Sequence, residues 1–266
     1  MNGFHWRRAM AVFWKDALDL RKNRGLLWSM ATLPAVLTFI PVFIVWSYAN
    51  KPDDPNLKAM AYFYDVTVPA ERAVAFLIEK VLIDWFSLYL MMPVFIPVLI
   101  ASHSVAGEKE KRTLEPLLAS PVTGLELLVG KSLASLIPAL FLSFTSFAVF
   151  CVAVDIVAWP VFQGPVLPNT TWWVGVFLIA PIFAFFGNGV AVLVSMRVGD
   201  ARLAQQISGL FVLPLVGLAG GQFAGYLSAG PQYYAVIGAI VLVFDAALLW
   251  VSVRLFDRER LISRWG

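Results

Sequence analysis

The chain has 266 residues, of which 60% are hydrophobic and only 14% charged. A soluble domain would carry about a quarter charged residues, so the composition excludes that class and points to the membrane. The single cysteine, Cys151, excludes an intrachain disulfide, and two widely separated histidines (His5 and His103) give no basis for a zinc or Ser–His site. The net charge of +3 says little as a total; its placement along the chain says more.

Residues 4–22 predict an amphipathic helix. Trp6, Met10, Phe13, Ala17 and Leu20 share one apolar face, while Arg8, Lys15 and Lys22 fall on another. A basic helix bearing tryptophan suits the membrane surface, with its cations among lipid phosphates. The alternative is a surface helix over a soluble domain, and the composition offers no such domain. No cleavable signal peptide is visible in residues 1–25, which expects the first span to act as the targeting element.

Six apolar stretches follow, at about 26–48, 82–106, 127–154, 172–196, 207–227 and 233–256, each able to cross a hydrocarbon core of about 30 Å. Prolines interrupt the first five, as in kinked, movable helices and in many other membrane proteins. Residues 50–81 are expected to be polar and irregular, with a short surface helix at 70–80, and residues 155–171 to be a loop. The expected layout is an amphipathic connecting helix (1–25), a six-span transmembrane domain (26–256) and a charged tail (257–266).

Sixteen of the 20 Lys and Arg residues fall on the side that holds both termini and the connection between spans two and three. That bias predicts cytoplasmic termini. Trp46, Tyr48, Trp85, Tyr89, Trp172, Trp173, Tyr226, Tyr233 and Tyr234 fall near the opposite boundary, where an interfacial aromatic belt is expected.

Two stretches imitate nucleotide-binding motifs. Gly124–Ser132 ends in Gly-Lys-Ser but has five residues between its glycines instead of four, and it reads as the entry to a membrane helix, with Thr123 and Glu126 as a capping box. Leu218-Ala219-Gly220-Gly221-Gln222 lies in an apolar span, where small residues suit close packing or a re-entrant turn. The chain is therefore not expected to hydrolyse ATP or to bind a cofactor or metal.

The polar stretch at 107–131, GEKEKRTLEPLLASPVTGLELLVGK, organises the rest. Glu108 to Arg112 alternate in sign. Thr113 can cap a short helix in which Pro116 is tolerated in the first turn. Leu114, Leu117 and Leu118 form an apolar ridge that suits a partner's groove or the bilayer surface. With Glu110, Glu115 and the Gly130-Lys131 pair, this stretch resembles the hallmark segment of type-2 ABC exporter permeases; Arg112 stands where a small residue is usual. The stretch at 197–206, RVGDARLAQQ, is similar to the second cytoplasmic connection of that family.

The resemblance implies an all-α integral membrane protein: six transmembrane helices, an N-terminal amphipathic interfacial helix and a cytoplasmic coupling helix. It further implies that residues 107–120 couple to separate ATPase subunits, through Glu108, Glu110, Arg112, Thr113, Leu114, Glu115, Pro116, Leu117 and Leu118. The implied partners are two ABC ATPase subunits, which bind the ATP and Mg, and a second permease, a homodimer being expected. The implied setting is a prokaryotic inner membrane with its lipids, and no nucleic acid.

Asp245, near the middle of the sixth span, and Asn188, in the fourth, are candidate residues of a transport pathway, with Asn188 as a candidate hydrogen-bond partner. A protonated acid tied to a neighbouring helix is the equal alternative. An ion-gradient-driven secondary transporter is the alternative function, although one central acid and no visible repeat fit it poorly. A membrane protease would need paired catalytic groups at membrane depth, which the sequence does not offer.

Overall fold

A computed structural model describes residues 4–110, 120–224 and 230–255. The protein is an all-α integral membrane protein, with no strand among the described residues and six helices long and apolar enough to cross a bilayer. We number the helices α1 (Trp6–Lys22), α2 (Arg24–Ala49), α3 (Pro55–Tyr64), α4 (Ala73–Tyr89), α5 (Met91–Glu110), α6 (Gly124–Phe162), α7 (Thr170–Arg197), α8 (Ala201–Leu210), α9 (Leu213–Phe223) and α10 (Pro231–Leu255). A π-helical turn, Gly175–Ile179, lies inside α7. The second span is α4 and α5 in series, and the fifth is α8 and α9 in series.

The expected surface helix at 70–80 is a 3-10 turn, Ala70–Arg72, running into α4, and the expected irregular stretch contains α3. The expected loop after residue 154 is helical up to Phe162. Hydropathy marks where a helix enters lipid, not where its hydrogen bonding stops. The second span covers 41 residues and the third 39, so at about 1.5 Å per residue each is about twice the length of the hydrocarbon core. Asp84, inside the second span, is neutralised by Lys80 one turn earlier, Nζ to Oδ2 at 2.6 Å.

Helix α7 is the centre of the bundle, and three consecutive residues place it there. A Cβ on Gly187 would lie 2.3 Å from the Val94 carbonyl oxygen of α5, so only glycine permits that approach. Asn188 reaches α6, where its amide donates to Ser132 Oγ at 3.0 Å and its carbonyl accepts from Ser135 Oγ at 2.6 Å. Gly189 faces Leu248 of α10.

Proline leaves a similar mark on α2. Pro41 has no N–H to offer the Leu37 carbonyl, and Trp85 Nε1 of α4 donates to that oxygen at 2.9 Å.

At the end of the bundle remote from α1, rings from four helices close the core. Trp172 of α7 is buried against Phe86, Tyr89, Phe147 and Phe150, with centroid separations of 4.9 to 5.8 Å. Tyr234 of α10 meets Phe86 at 4.5 Å. Tyr89, Trp172 and Tyr234 are therefore core residues and not part of the expected interfacial belt, whereas Trp46 and Trp173 remain half exposed. The Phe86 ring lies over Gly175, where a Cβ would come within 1.9 Å of it.

Candidate functional site

Of the residues expected to couple to a partner, Arg112, Thr113, Leu114, Glu115, Pro116, Leu117 and Leu118 lie outside the described residues. The structure does place the start of that segment. Glu110 is exposed on the last turn of α5, and Glu108 is buried.

Glu108 belongs to a cluster of two lysines and two acids from three helices. Lys131 of α6, with a side chain only 1% exposed, lies 3.0 Å from Glu108 Oε2 and 3.2 Å from Asp16 Oδ2 of α1. It also donates to the Ser104 carbonyl of α5 at 2.9 Å. Lys15 of α1 pairs with Glu108 and, at 3.3 Å, with Asp16. A buried lysine needs such partners, because an unpaired charge cannot be held away from water. Partial burial works against the charged Lys15 ammonium, but its hydrogen bond with Glu108 and the charges of Asp16 and Glu108 outweigh that and hold its pKa above the ordinary lysine value.

The Gly-Lys-Ser triplet has a structural reason at each position. A Cβ on Gly130 would lie 2.5 Å from the Ala9 carbonyl oxygen and 2.7 Å from Val12 Cβ, so glycine lets α1 lie against α6. Lys131 centres the charge cluster, and Ser132 accepts from Asn188.

Helix α1 therefore docks through Ala9, Val12 and Asp16, with Arg8 and Lys15 alongside. Arg8 holds the Pro121 carbonyl and Lys15 holds Glu108, both side chains staying partly exposed, while Trp6, Trp14 and Leu18 are exposed. A basic stripe looks the same in sequence whether phosphates or distant acids neutralise it.

The start of α6 is anchored as firmly. Thr123 caps it, accepting from the Glu126 N–H at 3.3 Å, and Glu126 accepts in turn from the Thr123 N–H at 2.8 Å. The fully buried Glu126 also accepts from the His5 N–H at 2.6 Å, and Arg8 donates to the Pro121 carbonyl at 2.8 Å. On the other flank, Lys109 donates to the Met196 and Val198 carbonyls at the C-terminal end of α7. Both ends of the 111–119 segment are thus tied to α1, and one of them to α7 as well. Asp16 and Lys131 were missed as site residues. Lys131 did belong to the segment that carries the family resemblance, whereas the only signal for Asp16 was an acid within a basic amphipathic helix.

The two candidate pathway residues do not meet through a hydrogen bond. Both amide atoms of Asn188 are engaged on α6, and Asp245 is buried on α10. The Leu-Ala-Gly-Gly-Gln stretch also differs from expectation. Gly217 and Gly220 pack against nothing among the described residues, while buried Gln222 donates to the Ile83 carbonyl at 2.8 Å and accepts from Ser87 and Tyr234. The turn beyond α9 lies partly outside the described residues.

A family model described as ABC-2 family transporter protein matches residues 47–244. No curated protein matches the chain.

Proposed function

The chain belongs to the ABC-2 family of transporter proteins, and from that premise we propose that it is the permease subunit of an ATP-driven exporter. In this reading the chain forms the membrane pathway and hydrolyses nothing. ATP and Mg belong to two separate ABC ATPase subunits, and a second copy of the chain completes the pathway as a homodimer. The distribution of Lys and Arg supports cytoplasmic termini, and the membrane of this reading is a prokaryotic inner membrane.

The observation that carries the reading is the anchoring of both flanks of residues 111–119. Glu108 and Lys109 on one side, and Thr123, Glu126 and Lys131 on the other, tie into α1, α5, α6 and α7. A push on the segment between them is delivered to four helices at once. That suits a coupling element built on Glu108, Glu110, Arg112, Thr113, Leu114, Glu115, Pro116, Leu117 and Leu118, with the three leucines as the ridge that enters the ATPase. Asn188 and Asp245 lie deeper along the proposed pathway.

The test is co-purification of the full-length chain with a co-expressed ABC ATPase subunit. Leu117→Asp and Glu110→Lys are expected to abolish the association and to leave the chain folded in the membrane. Intact association and transport in both variants would overturn the coupling assignment.

A further inference from the structure

Helix α10 is the least enclosed of the six spans, and most of its surface (Val236, Ile240, Val243, Phe244, Trp250) is exposed. Its inward stripe is Tyr234, Gly238, Val241, Asp245, Leu248 and Ser252, at alternating spacings of four and three. This stripe lies along α7, and two contacts fix the register. Gly238 faces Ile179, and Leu248 faces Gly189. Both contacts place Asp245 at the level of Phe186, with the helices parallel and a glycine contact on either side.

Asp245 is 8% exposed, and its Oδ1 is fully buried without a hydrogen-bond partner among the described residues. No cation faces it. Helix α7 has no ionisable side chain before Arg197, and α6 has none from Ser132 to Phe150. On α10 itself, Arg254 stacks on Trp250 at 3.8 Å, two turns and more away, and Tyr233 and Tyr234 lie toward the other end. On α4, Lys80 and Asp84 pair with each other. An ionised carboxylate in this seam would be desolvated with nothing to balance it, a state that buried acids escape by acquiring a positive charge.

We propose that Asp245 is a binding site for one positive charge in the α7–α10 seam, supplied by a proton or by a cationic group on the transported molecule. The proposal rests on the transporter reading above and names the charge of what the pathway handles. In the closed seam the glycine contacts leave room for a proton. Because α10 is held mainly through this one seam, its separation from α7 uncovers the carboxylate to the pathway, where it ionises or takes a cationic group.

The test uses the full chain with its ATPase subunit in lipid nanodiscs, reacted with dicyclohexylcarbodiimide, which adds to protonated carboxyl groups in apolar surroundings. Peptide mass spectrometry should find the adduct on Asp245 at neutral pH. Asp245→Asn should lack the adduct while still co-purifying with the ATPase.

The same reaction with tetraphenylphosphonium or tetraphenylborate present separates the two sources. Suppression by the cation alone assigns the site to a cationic cargo; suppression by neither assigns it to the proton. Absence of an Asp245 adduct throughout, or suppression by the anion, overturns the proposal. Loss of the ATPase from the wild-type chain would overturn the permease reading and leave the Asp245 result standing.

Discussion

At one end of the bundle α1, α5 and α6 meet through Lys15, Asp16, Glu108 and Lys131; at the other, α4, α6, α7 and α10 meet through Phe86, Tyr89, Phe147, Phe150, Trp172 and Tyr234. The two closures differ in how sharply they depend on position. A buried ion pair fails abruptly when one partner leaves, because the other is left charged and dry. Stacked and tilted rings lose contact gradually as helices slide, since burial of apolar area has no direction. The charged end is therefore suited to passing a displacement on intact, and the ring end to absorbing one.

Substitutions at the two ends test that contrast. The largest effect is expected from Lys131→Met, which leaves Asp16 and Glu108 with Lys15 alone and should cost about 3–5 kcal/mol. Thermal unfolding in detergent measures it, and adding Glu108→Gln should recover most of the loss by restoring charge balance. A double variant no better than the single one would break the comparison.

At the ring end, Gly175→Ala forces a methyl group into the Phe86 ring and should cost about 3 kcal/mol at most. Adding Phe86→Leu, which makes room, should lessen that cost in the same unfolding assay. Gln222→Leu removes a partner from the Ile83 carbonyl and from the Ser87 and Tyr234 hydroxyls, which keep their own hydrogen bond at 2.7 Å, and should cost about 1–2 kcal/mol. Faster hydrogen exchange in α9 should accompany it. Lys109→Met removes a cation from the C-terminal end of α7 and should cost about 1 kcal/mol or less, visible as fraying of that helix by hydrogen exchange.

The all-α class, the six spans and the N-terminal helix were legible in sequence because long apolar runs and helical periodicity are local signals. The Thr123–Glu126 cap was legible for the same reason, as its partners lie three residues apart. The charge cluster was not. Lys131 pairs with Asp16 across 115 positions, and nothing local distinguishes that lysine from one at a membrane surface. The protein contacts of Arg8, Lys15 and Trp172 were hidden for the same reason, since their partners are distant in sequence. Gln222 stood in the sequence as part of a false signature, and only its distant contacts with Ser87 and Tyr234 give it a role.

The three-residue centre of α7 limits how the bundle can change shape. Gly187 holds α5, Asn188 holds α6 and Gly189 holds α10, on three sides of one helical turn. Turning α7 about its own axis would bring its bulkier side chains against the backbone and side chains that the glycines now admit, and would strip Asn188 of both serines. These three contacts oppose rotation of α7 about its axis, so movements of the other spans past it are the less costly ones.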